Sequence, residues 1–461
     1  MNVKLLCISM LVAASMLIVG CSKQDDSVNV NSSQKEFSVA PSQNFVPGEL
    51  IVKFKDGQTL KSKTNVMQAF GGTVVQKIYG SKLKGTDNGA VYLYSIKTSI
   101  EEAIAKLNQM PEVEFAEPNY IYKTQVTSND PYFTNGSLWG MQGDASTPAN
   151  QYGCQAAEAW ALNHTGSSTV YVGIIDEGYM YNHADLAANA GVNPGEIANN
   201  GIDDDGNGYI DDVYGWNFDG NNNAVFDSAG DEHGTHVGGT IGGVGGNNIG
   251  VAGVCWNVKM LSGKFLGPNG GTSANAILAI DYFVDLKTRH NLKLVALNNS
   301  WGGGGFSQAL KDAIDRASAA GILFIAAAGN GGWDGIGDNN DRTPSYPASY
   351  TSSNIIAVAS ITSSGGRSSF SNYGATSVDI GAPGSNIYSC MPQSGGGSTY
   401  GTMSGTSMAT PHVTGAAALY ASTHPNATMA QIKDAILNSA VATTSLRGKC
   451  VTGGRLNVSG F

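Results

Sequence analysis

Charged side chains are scarce in this chain, and basic ones are scarcer than acidic ones. Only 13% of the 461 residues are charged, with 26 Lys and Arg against 36 Asp and Glu, which gives a net charge of −10. So little charge argues against a coiled coil or a charged disordered chain. Because there is no cluster of Lys and Arg to bind phosphates, nucleic acid is not expected as a partner.

The chain also lacks, near its start, an apolar run long enough to cross a membrane comfortably. An apolar run covers residues 5–20 after Lys4 and ends at Cys21. A run of this length after a positive charge is typical of an export signal. Residues 17–21, Leu-Ile-Val-Gly-Cys, resemble a bacterial lipoprotein signal, which implies removal of residues 1–20 and lipidation of Cys21. An ordinary secretory signal is the alternative, and both predict export.

Cysteine is rare as well, with six residues in the chain. Cys7 lies in the predicted signal and Cys21 at its end, which leaves four for the exported protein: Cys154, Cys255, Cys390 and Cys450. In an oxidising compartment four cysteines allow three pairings. The sequence leaves open which pairing forms, or whether the thiols stay free and buried.

The residues after the signal divide into a tether and a small domain. Residues 21–44 are rich in Ser, Asn, Gln and Asp, and are expected to form a flexible tether. Over residues 45–124, strand-like and helix-like segments follow the order βαββαβ. The second helix begins in a capping box of Ser99 and Glu102 and stops before Pro111. This pattern predicts a small α+β ferredoxin-like domain.

Residues 132–461 form a larger unit in which continuous apolar segments alternate with helical ones. Strands buried on both faces, as in parallel sheets covered by helices, are indicated by the runs 170–175, 294–297, 322–326 and 355–358. A helix is predicted over residues 307–320, with its apolar side chains on one face and Gly321 at its end. The fold class predicted for this unit is α/β, with a mostly parallel sheet flanked by helices.

Three motifs in this unit carry residues suited to nucleophilic catalysis. Asp176 ends the first apolar strand, His233 opens the run His-Gly-Thr-His, and Ser407 lies in Gly-Thr-Ser-Met-Ala-Thr-Pro-His. A serine attacks a peptide bond when an imidazole takes its proton and a carboxylate fixes the imidazole tautomer. In this order, 57 and 174 residues apart, the motifs resemble those of subtilisin-like serine proteases. The resemblance implies a monomeric serine endopeptidase of proteins or peptides with this triad.

The resemblance also implies roles for residues around the triad. Asn330, directly after a strand, would be the second oxyanion donor beside the backbone N–H of Ser407, although by itself it would be interpreted as a turn residue. Two segments would bind an extended substrate, through Ser300, Trp301, Gly302, Gly303, Ala327 and Gly329. Ser345 is expected near the base of the primary pocket. Since these segments contain no acidic residue, no preference for Lys or Arg is predicted.

Residues 45–124 are similar to the propeptide inhibitor domain of the same family, in their layout and in the segment 113–120. The similarity implies a zymogen whose propeptide assists folding and acts as an intramolecular inhibitor. Residues 125–131 would be a processing linker. Because the predicted lipid on Cys21 lies on the propeptide side, cleavage between about Lys123 and Asp130 would release the catalytic domain from the membrane into the periplasm or the extracellular space.

Glu177 departs from that family, in which Ser or Thr usually follows the catalytic Asp. A second carboxylate beside Asp176 is expected to affect the pH profile.

Two rival functions are a surface lipoprotein that keeps the fold as a binding module, and an acid-acting peptidase that uses Glu177 together with Asp and Ser. The first does not account for an intact triad, and the second leaves His233 and Asn330 without a role. The remaining histidines near the motifs are expected to be structural: His183, His236 and His412.

An acidic loop at residues 203–212 predicts a calcium site. Oxygen-bearing side chains occupy its first, third and fifth positions and Gly208 its sixth, as in an EF-hand loop. Tyr214 stands at the twelfth position, where an EF-hand has Glu. The predicted ligands are Asp203, Asp205, Asn207, Tyr209, Asp211 and Asp212. Calcium would serve stability rather than chemistry, and a solvated acidic turn is the alternative.

Overall fold

The structure is a computed structural model that describes residues 45–78, 90–121 and 127–461. The predicted signal, Cys21, the predicted tether and the first two residues of the predicted processing linker lie outside these ranges. The chain forms two compact units, which divide between residues 122 and 123. Within the three described ranges, no helix combines the length and the apolar character that crossing a bilayer requires.

The smaller unit is an antiparallel four-stranded sheet with two helices. Its elements are β1 (Phe45–Phe54), α1 (Leu60–Gln68), β2 (Thr73–Ile78), β3 (Val91–Ser95), α2 (Ile100–Leu107) and β4 (Val113–Tyr120). The strand order β2-β3-β1-β4 confirms the predicted ferredoxin-like arrangement. Ser99 caps α2 by accepting the backbone N–H of Glu102 at 3.4 Å. The side chain that contacts Ser99 is Glu101, at 2.6 Å, so the predicted capping box is only half formed.

The larger unit is built on a nine-stranded sheet in the order β16-β17-β13-β12-β11-β10-β5-β7-β6. All neighbouring pairs in it are parallel except β16 with β17. Two small hairpins, β8 with β9 and β14 with β15, stand outside it. The strands are β5 (Gly166–Asp176), β6 (Gly215–Asn217), β7 (Asn257–Lys264), β8 (Leu266–Gly267), β9 (Gly270–Gly271), β10 (Lys293–Asn299), β11 (Leu323–Ala327), β12 (Ile355–Ile361), β13 (Ile380–Pro383), β14 (Ile387–Pro392), β15 (Ser398–Met403), β16 (Val441–Ala442) and β17 (Gly454–Arg455).

Helices cover both faces of this sheet, which confirms the predicted α/β class. They are α3 (Pro131–Thr134), α4 (Ala156–Ala161), α5 (Glu232–Gly242), α6 (Ser273–His290), α7 (Gln308–Ala319), α8 (Thr406–Thr423) and α9 (Met429–Asn438). Every residue of β11 and β12 is buried, as the continuous apolar runs predict. One apolar core lies on the side of α5 and α8, and another on the side of α6 and α7.

Helix α8 begins at Thr406, one residue before Ser407, and this places Pro411 in its second turn. Proline has no N–H, so it cannot donate to the carbonyl four residues before it, which belongs to Ser407. The hydroxyl of Ser300 donates to that carbonyl at 2.8 Å instead. The helix that carries Ser407 is therefore bonded to the segment that follows β10.

The four cysteines of the larger unit are all free and buried in this structure: Cys154, Cys255, Cys390 and Cys450. Of the two alternatives left open by the sequence, the structure presents buried thiols. Burial raises the pKa of Cys154 and of Cys255 to about 12, because a thiolate is poorly solvated there. These thiols are therefore protonated at neutral pH and suited to packing rather than to nucleophilic attack.

Candidate active site

Asp176 and His233 form a hydrogen-bonded pair at the carboxyl edge of the parallel sheet. Asp176 is the last residue of β5 and is fully buried, and His233 is the second residue of α5. Nδ1 of His233 lies 2.8 Å from Oδ1 of Asp176. The same oxygen accepts the backbone N–H of Glu177 at 2.8 Å. The carboxylate thus fixes the imidazole through Nδ1, and Nε2 has no hydrogen bond to any residue that the structure describes.

The charges around this pair favour a protonated imidazole. Burial by itself opposes the charged form of His233, but the carboxylates of Asp176 and, less strongly, of Glu177 outweigh it and raise the pKa of His233 to about 9. Burial and the charge of Asp176 raise the pKa of Glu177 to about 7. The site therefore stabilises the imidazolium that forms when histidine takes a proton.

Glu177 is connected to α5 as well as to β5. Its Oε1 accepts the backbone N–H of His233 at 2.6 Å, so the carboxylate caps the start of the helix from outside. Nζ of Lys264 donates to the backbone carbonyl of Glu177 and to Oδ1 of Asp231, each at 2.5 Å. Asp231 directly precedes α5. The start of α5, which carries His233, is thus bonded to Glu177, and Lys264 at the end of β7 joins Glu177 to Asp231.

Ser407 lies in the first turn of α8, and α8 packs against α5. The hydroxyl of Ser407 donates to the carbonyl of Ser300 at 3.1 Å. No described hydrogen bond joins Ser407 to His233 in this structure. The structure therefore brings Asp176 and His233 into direct contact and leaves the Ser407 hydroxyl bonded to the segment after β10.

Asn330 follows β11 and contacts the start of α8. Its Oδ1 accepts the backbone N–H of Thr406 at 2.9 Å and the hydroxyl of Thr406 at 3.0 Å. A Cβ added to Gly405 would lie 3.6 Å from Nδ2 of Asn330 and 3.5 Å from the backbone nitrogen of Ser407. Two N–H donors, Nδ2 of Asn330 and the backbone N–H of Ser407, therefore flank the space that a side chain at position 405 would fill. This arrangement can bind an oxygen that carries negative charge.

A cavity of about 370 Å³ opens beside Ser407 and Asn330. Its lining includes all six predicted substrate-binding residues: Ser300, Trp301, Gly302, Gly303, Ala327 and Gly329. Ser345 lines it as well, and a Cβ on Gly329 would lie 3.2 Å from the Ser345 hydroxyl. Trp301 packs edge-to-face on Phe265, so its ring is fixed in the wall.

Sequence reasoning missed several residues of this cavity. Thr406 adjoins the serine motif, and its contact with Asn330 depends on two distant segments meeting. Asn372 and Asp338 line the cavity from loops that carry no recognisable motif. Asp338 is acidic, and it lies outside the segments whose lack of acidic residues led to no predicted preference for Lys or Arg. No local pattern could have found it, because it lies on a loop whose path is set by contacts with Asn372.

The other histidines near the motifs bond to backbone carbonyls. His183, His236 and His412 lie 2.8 to 3.0 Å from the carbonyls of Thr399, Ile387 and Met408. Burial lowers the pKa of His236 and of His412 to about 4. These neutral, buried rings hold backbone segments together.

The acidic loop brings together only part of the predicted calcium set. Oxygens of Asp203, Asp205 and Glu196 lie within 4.8 Å of one another. Glu196 was not predicted, because it lies upstream of the loop. Its Oε2 is buried with no hydrogen-bond partner among the described residues. Asp203 and Asp205 also accept the backbone N–H of Asn207, at 3.0 and 2.9 Å, which closes the turn.

The remaining predicted ligands have hydrogen bonds or ring contacts of their own. Asp211 accepts the backbone N–H groups of residues 200 and 201 at 3.1 and 2.8 Å. Asn207 directs its amide nitrogen, a donor, to buried Asp212 at 3.0 Å. The ring of Tyr209 packs among three other aromatic rings: Trp216, Phe218 and Tyr282. Position 7 of an EF-hand binds calcium through its backbone carbonyl, so the packing of the Tyr209 ring leaves that carbonyl as the oxygen this residue could offer.

A buried Asp–His pair at the carboxyl edge of a parallel sheet, with a serine at a helix start and an amide donor beside it, defines a serine hydrolase of the α/β class. Comparison with known proteins narrows the class. The subtilase family (Peptidase S8) matches residues 167–457, and the fervidolysin N-terminal prodomain matches residues 31–119. The chain belongs to the subtilase family of serine peptidases, which hydrolyse peptide bonds, and it carries an N-terminal prodomain.

Relatives in two comparisons agree with this assignment. The chain is 33% identical over 401 residues to a thermophilic serine proteinase of Bacillus sp. (strain AK1), covering 86% of this chain and 84% of the relative. It is 35% identical over 286 residues to subtilisin DY of Bacillus licheniformis, covering 62% of this chain and 88% of that relative. Among solved structures, a protease from Pseudoalteromonas arctica matches with a TM-score of 0.55 and 28% identity. The match covers 73% of this chain and 98% of that structure's chain.

Proposed function

We propose that Asp176, His233 and Ser407 are the catalytic triad of an exported serine endopeptidase made as a self-processing zymogen. The observation that carries the proposal is the buried 2.8 Å hydrogen bond between Asp176 and His233, in a unit whose Ser407 and Asn330 line one cavity. In the first step, the Ser407 hydroxyl turns from the Ser300 carbonyl towards the imidazole. Such a change is reasonable because catalytic hydrogen bonds often form fully only with substrate bound.

Nε2 of His233 then takes the hydroxyl proton as Oγ of Ser407 attacks the carbonyl carbon of the substrate. Asp176 stabilises the imidazolium, and the developing oxyanion accepts hydrogen bonds from Nδ2 of Asn330 and the backbone N–H of Ser407. The imidazolium gives its proton to the leaving amine, and the acyl group stays on Oγ. A water molecule, deprotonated by His233, attacks this acyl-enzyme and restores the serine.

The substrate lies as an extended strand along residues 300–303 in this proposal. Gly302 suits such a position, because a Cβ there would lie 3.1 Å from the carbonyl of Tyr346 and would press the segment outward. The substrate side chain before the cleaved bond enters the cavity between this segment, Ala327 and Gly329. Since main-chain contacts carry most of the binding along residues 300–303, the peptidase accepts many sequences at the substrate positions outside the cavity.

The maturation proposed for this chain follows from its prodomain. Residues 45–124 inhibit the catalytic domain until the linker at 125–131 is cut, between about Lys123 and Asp130. If Cys21 is lipidated, this cut also releases the catalytic domain, residues 132–461, from the membrane. The match to a known prodomain and a relative named extracellular basic protease, from Dichelobacter nodosus, support export and processing.

Labelling with a fluorophosphonate, which reacts with activated serines, tests the triad. The purified, processed protein is incubated with the reagent, and the modified peptide is identified by mass spectrometry. Modification of Ser407 supports the proposal. A folded protein that is not modified there, and that does not cleave casein, supports instead a binding module that kept the fold.

A calcium ion bound by Glu196, Asp203 and Asp205 is part of the proposal. Three carboxylates supply the hard oxygen donors that calcium prefers, and the unpartnered, buried Oε2 of Glu196 fits a cation at this place. When bound, the ion would neutralise the repulsion among these carboxylates and hold the loop to residue 196. It would have no part in the chemical steps.

Removing calcium is expected to lower the melting temperature of the processed enzyme by on the order of 5 °C, because a ligand that binds only the folded state stabilises it. The measurement is a thermal melt with and without a chelator such as EGTA. In the matched variant Glu196→Gln, which keeps the size of the side chain, the chelator should have a much smaller effect. Identical melting temperatures with and without the chelator would reject the site.

Glu177→Gln is expected to raise kcat/KM between about pH 7 and 9. Glutamine can still accept the His233 N–H, but it removes a charge that favours the imidazolium, so more of the enzyme has the neutral imidazole it needs. Below the Glu177 pKa of about 7 this carboxyl is itself neutral, and variant and parent should converge. Above the His233 pKa of about 9 both imidazoles are neutral, and the difference should also disappear.

The measurement is a pH profile of kcat/KM on one peptide substrate for both proteins. The acidic limb of the variant should lie about half a pH unit to one unit lower. Glu177→Ala, which removes the cap as well as the charge, separates the two roles, because only the loss of the cap should also reduce kcat. Superimposable profiles for parent and Glu177→Gln would show that this charge does not act on His233.

A further inference from the structure

Asp338 is the one ionisable side chain among the described residues that line the cavity. The other lining residues are Gly, Ser, Thr, Ala, Asn, Pro and Trp, and none of them is basic. Neither carboxylate oxygen of Asp338 forms a hydrogen bond or an ion pair with another residue that the structure describes. A carboxylate without a partner in a cavity wall can bind a cationic group that enters from outside.

The loop that carries Asp338 is held by the side chain of Asn372 and by backbone hydrogen bonds. Oδ1 of Asn372 accepts the backbone N–H groups of Gly331 at 2.9 Å and of Asp338 at 2.8 Å, so it joins the two ends of the loop. The backbone N–H of Asn372 donates to the carbonyl of Gly329 at 2.9 Å, and that of Tyr373 donates to the carbonyl of Asp338 at 2.9 Å. These bonds fix the backbone of Asp338 at the rim of the cavity, where its side chain is exposed to solvent.

Space is left open in front of this carboxylate. A Cβ on Gly332, which also lines the cavity, would lie 3.8 Å from Oδ2 of Asp338. Glycine at this place leaves that volume free. Arg367, on the segment before Asn372, bonds elsewhere. Its Nη1 donates to the carbonyls of Ser368 and Ser371, and its guanidinium lies over the ring of Tyr373. No described ion pair joins Arg367 to Asp338.

We infer that Asp338 determines specificity for a basic side chain, Lys or Arg, in the cavity beside Ser407. The inference rests on the proposed function, since it takes the cavity as the place of the substrate side chain. A cavity of about 370 Å³ admits a long side chain. The glycine-lined walls contact its apolar stem, and the carboxylate of Asp338 pairs with the ammonium or guanidinium at its end.

The test compares two peptides that differ only in the residue before the cleaved bond, Lys in one and Met in the other. Both side chains are unbranched and long, so the comparison isolates the charge. The quantity measured is the ratio of kcat/KM for the Lys peptide to that for the Met peptide, because a ratio does not depend on the fraction of active enzyme. Asp338→Asn is expected to lower this ratio about tenfold, whereas added salt should lower it in the parent and much less in the variant.

Asp334→Asn is the matched control, because it removes a charge from the same loop at a residue that does not line the cavity. The asparagine keeps an oxygen to accept the backbone N–H of Ile336, as Asp334 does at 2.9 Å. The ratio of kcat/KM for the Lys peptide to that for the Met peptide should be the same in the Asp334→Asn enzyme as in the parent. An Asp338→Asn ratio equal to the parent's, with both peptides cleaved, overturns the inference alone. If the parent cleaves neither peptide, the proposed function fails, and the inference fails with it.

Discussion

Replacing Ser407 by alanine is expected to abolish both processing and proteolysis. Without Oγ no acyl-enzyme can form, so kcat on peptides should fall on the order of 10⁶-fold, the magnitude known for loss of a triad serine. If the precursor cuts its own linker, the variant should also remain uncleaved, with its prodomain attached. The measurements are hydrolysis of a peptide substrate and N-terminal sequencing of the purified protein.

The fold should survive this change, because the Ser407 hydroxyl makes one hydrogen bond, to the carbonyl of Ser300, worth about 1 kcal/mol. Ser404→Ala, three residues upstream and outside the cavity lining, is the control and should be processed and active. In the parent, a soluble active form that still begins at Cys21 would contradict release by cleavage at the linker. A processed, active Ser407→Ala protein would contradict the triad itself.

The fold could be predicted from the sequence where one local pattern decides the structure. The apolar runs that became β11 and β12 are buried on both faces, and continuous burial leaves a parallel sheet under helices as the simple solution. The start of α8 could not be predicted so well. Its first residue, Thr406, is capped by the side chain of Asn330, which lies far away in the sequence. A helix start that depends on a distant cap has no local signal.

The site residues also divide into those that a local motif indicates and those that depend on long-range contacts. Asp176, His233 and Ser407 lie in motifs that can be read along the chain, because strand ends and helix starts place such residues at one sheet edge. Asp338 and Glu196 could not be found, since each acts through a loop whose course depends on long-range hydrogen bonds. The EF-hand spacing could not indicate the direction of the Asp211 side chain for the same reason. Asp211 bonds to backbone amides across the loop rather than turning inward.

Replacing Asp176 by asparagine is expected to lower kcat on the order of 10⁴-fold while the protein stays folded. Oδ1 of Asp176 accepts both Nδ1–H of His233 and the backbone N–H of Glu177, and Oδ2 has no described partner. An asparagine that keeps its oxygen towards these donors loses the charge that stabilises the imidazolium. An asparagine in the opposite orientation presents an N–H to Nδ1 and favours the wrong tautomer.

The pH profile distinguishes this effect from a general loss of structure. The charge of Asp176 holds the pKa of His233 at about 9 against the opposing effect of burial. Without this charge the imidazole should stay neutral down to lower pH, so the acidic limb of the kcat profile should move to lower pH although the maximal rate falls.

Asp185→Asn is the matched control. Asp185 is equally buried and accepts the backbone N–H of Val251 at 2.6 Å, but it has no contact with His233, so its replacement should change stability and leave the acidic limb in place. An Asp176→Asn enzyme with near-parental kcat would remove the carboxylate from the mechanism, and the buried pair would then be structural.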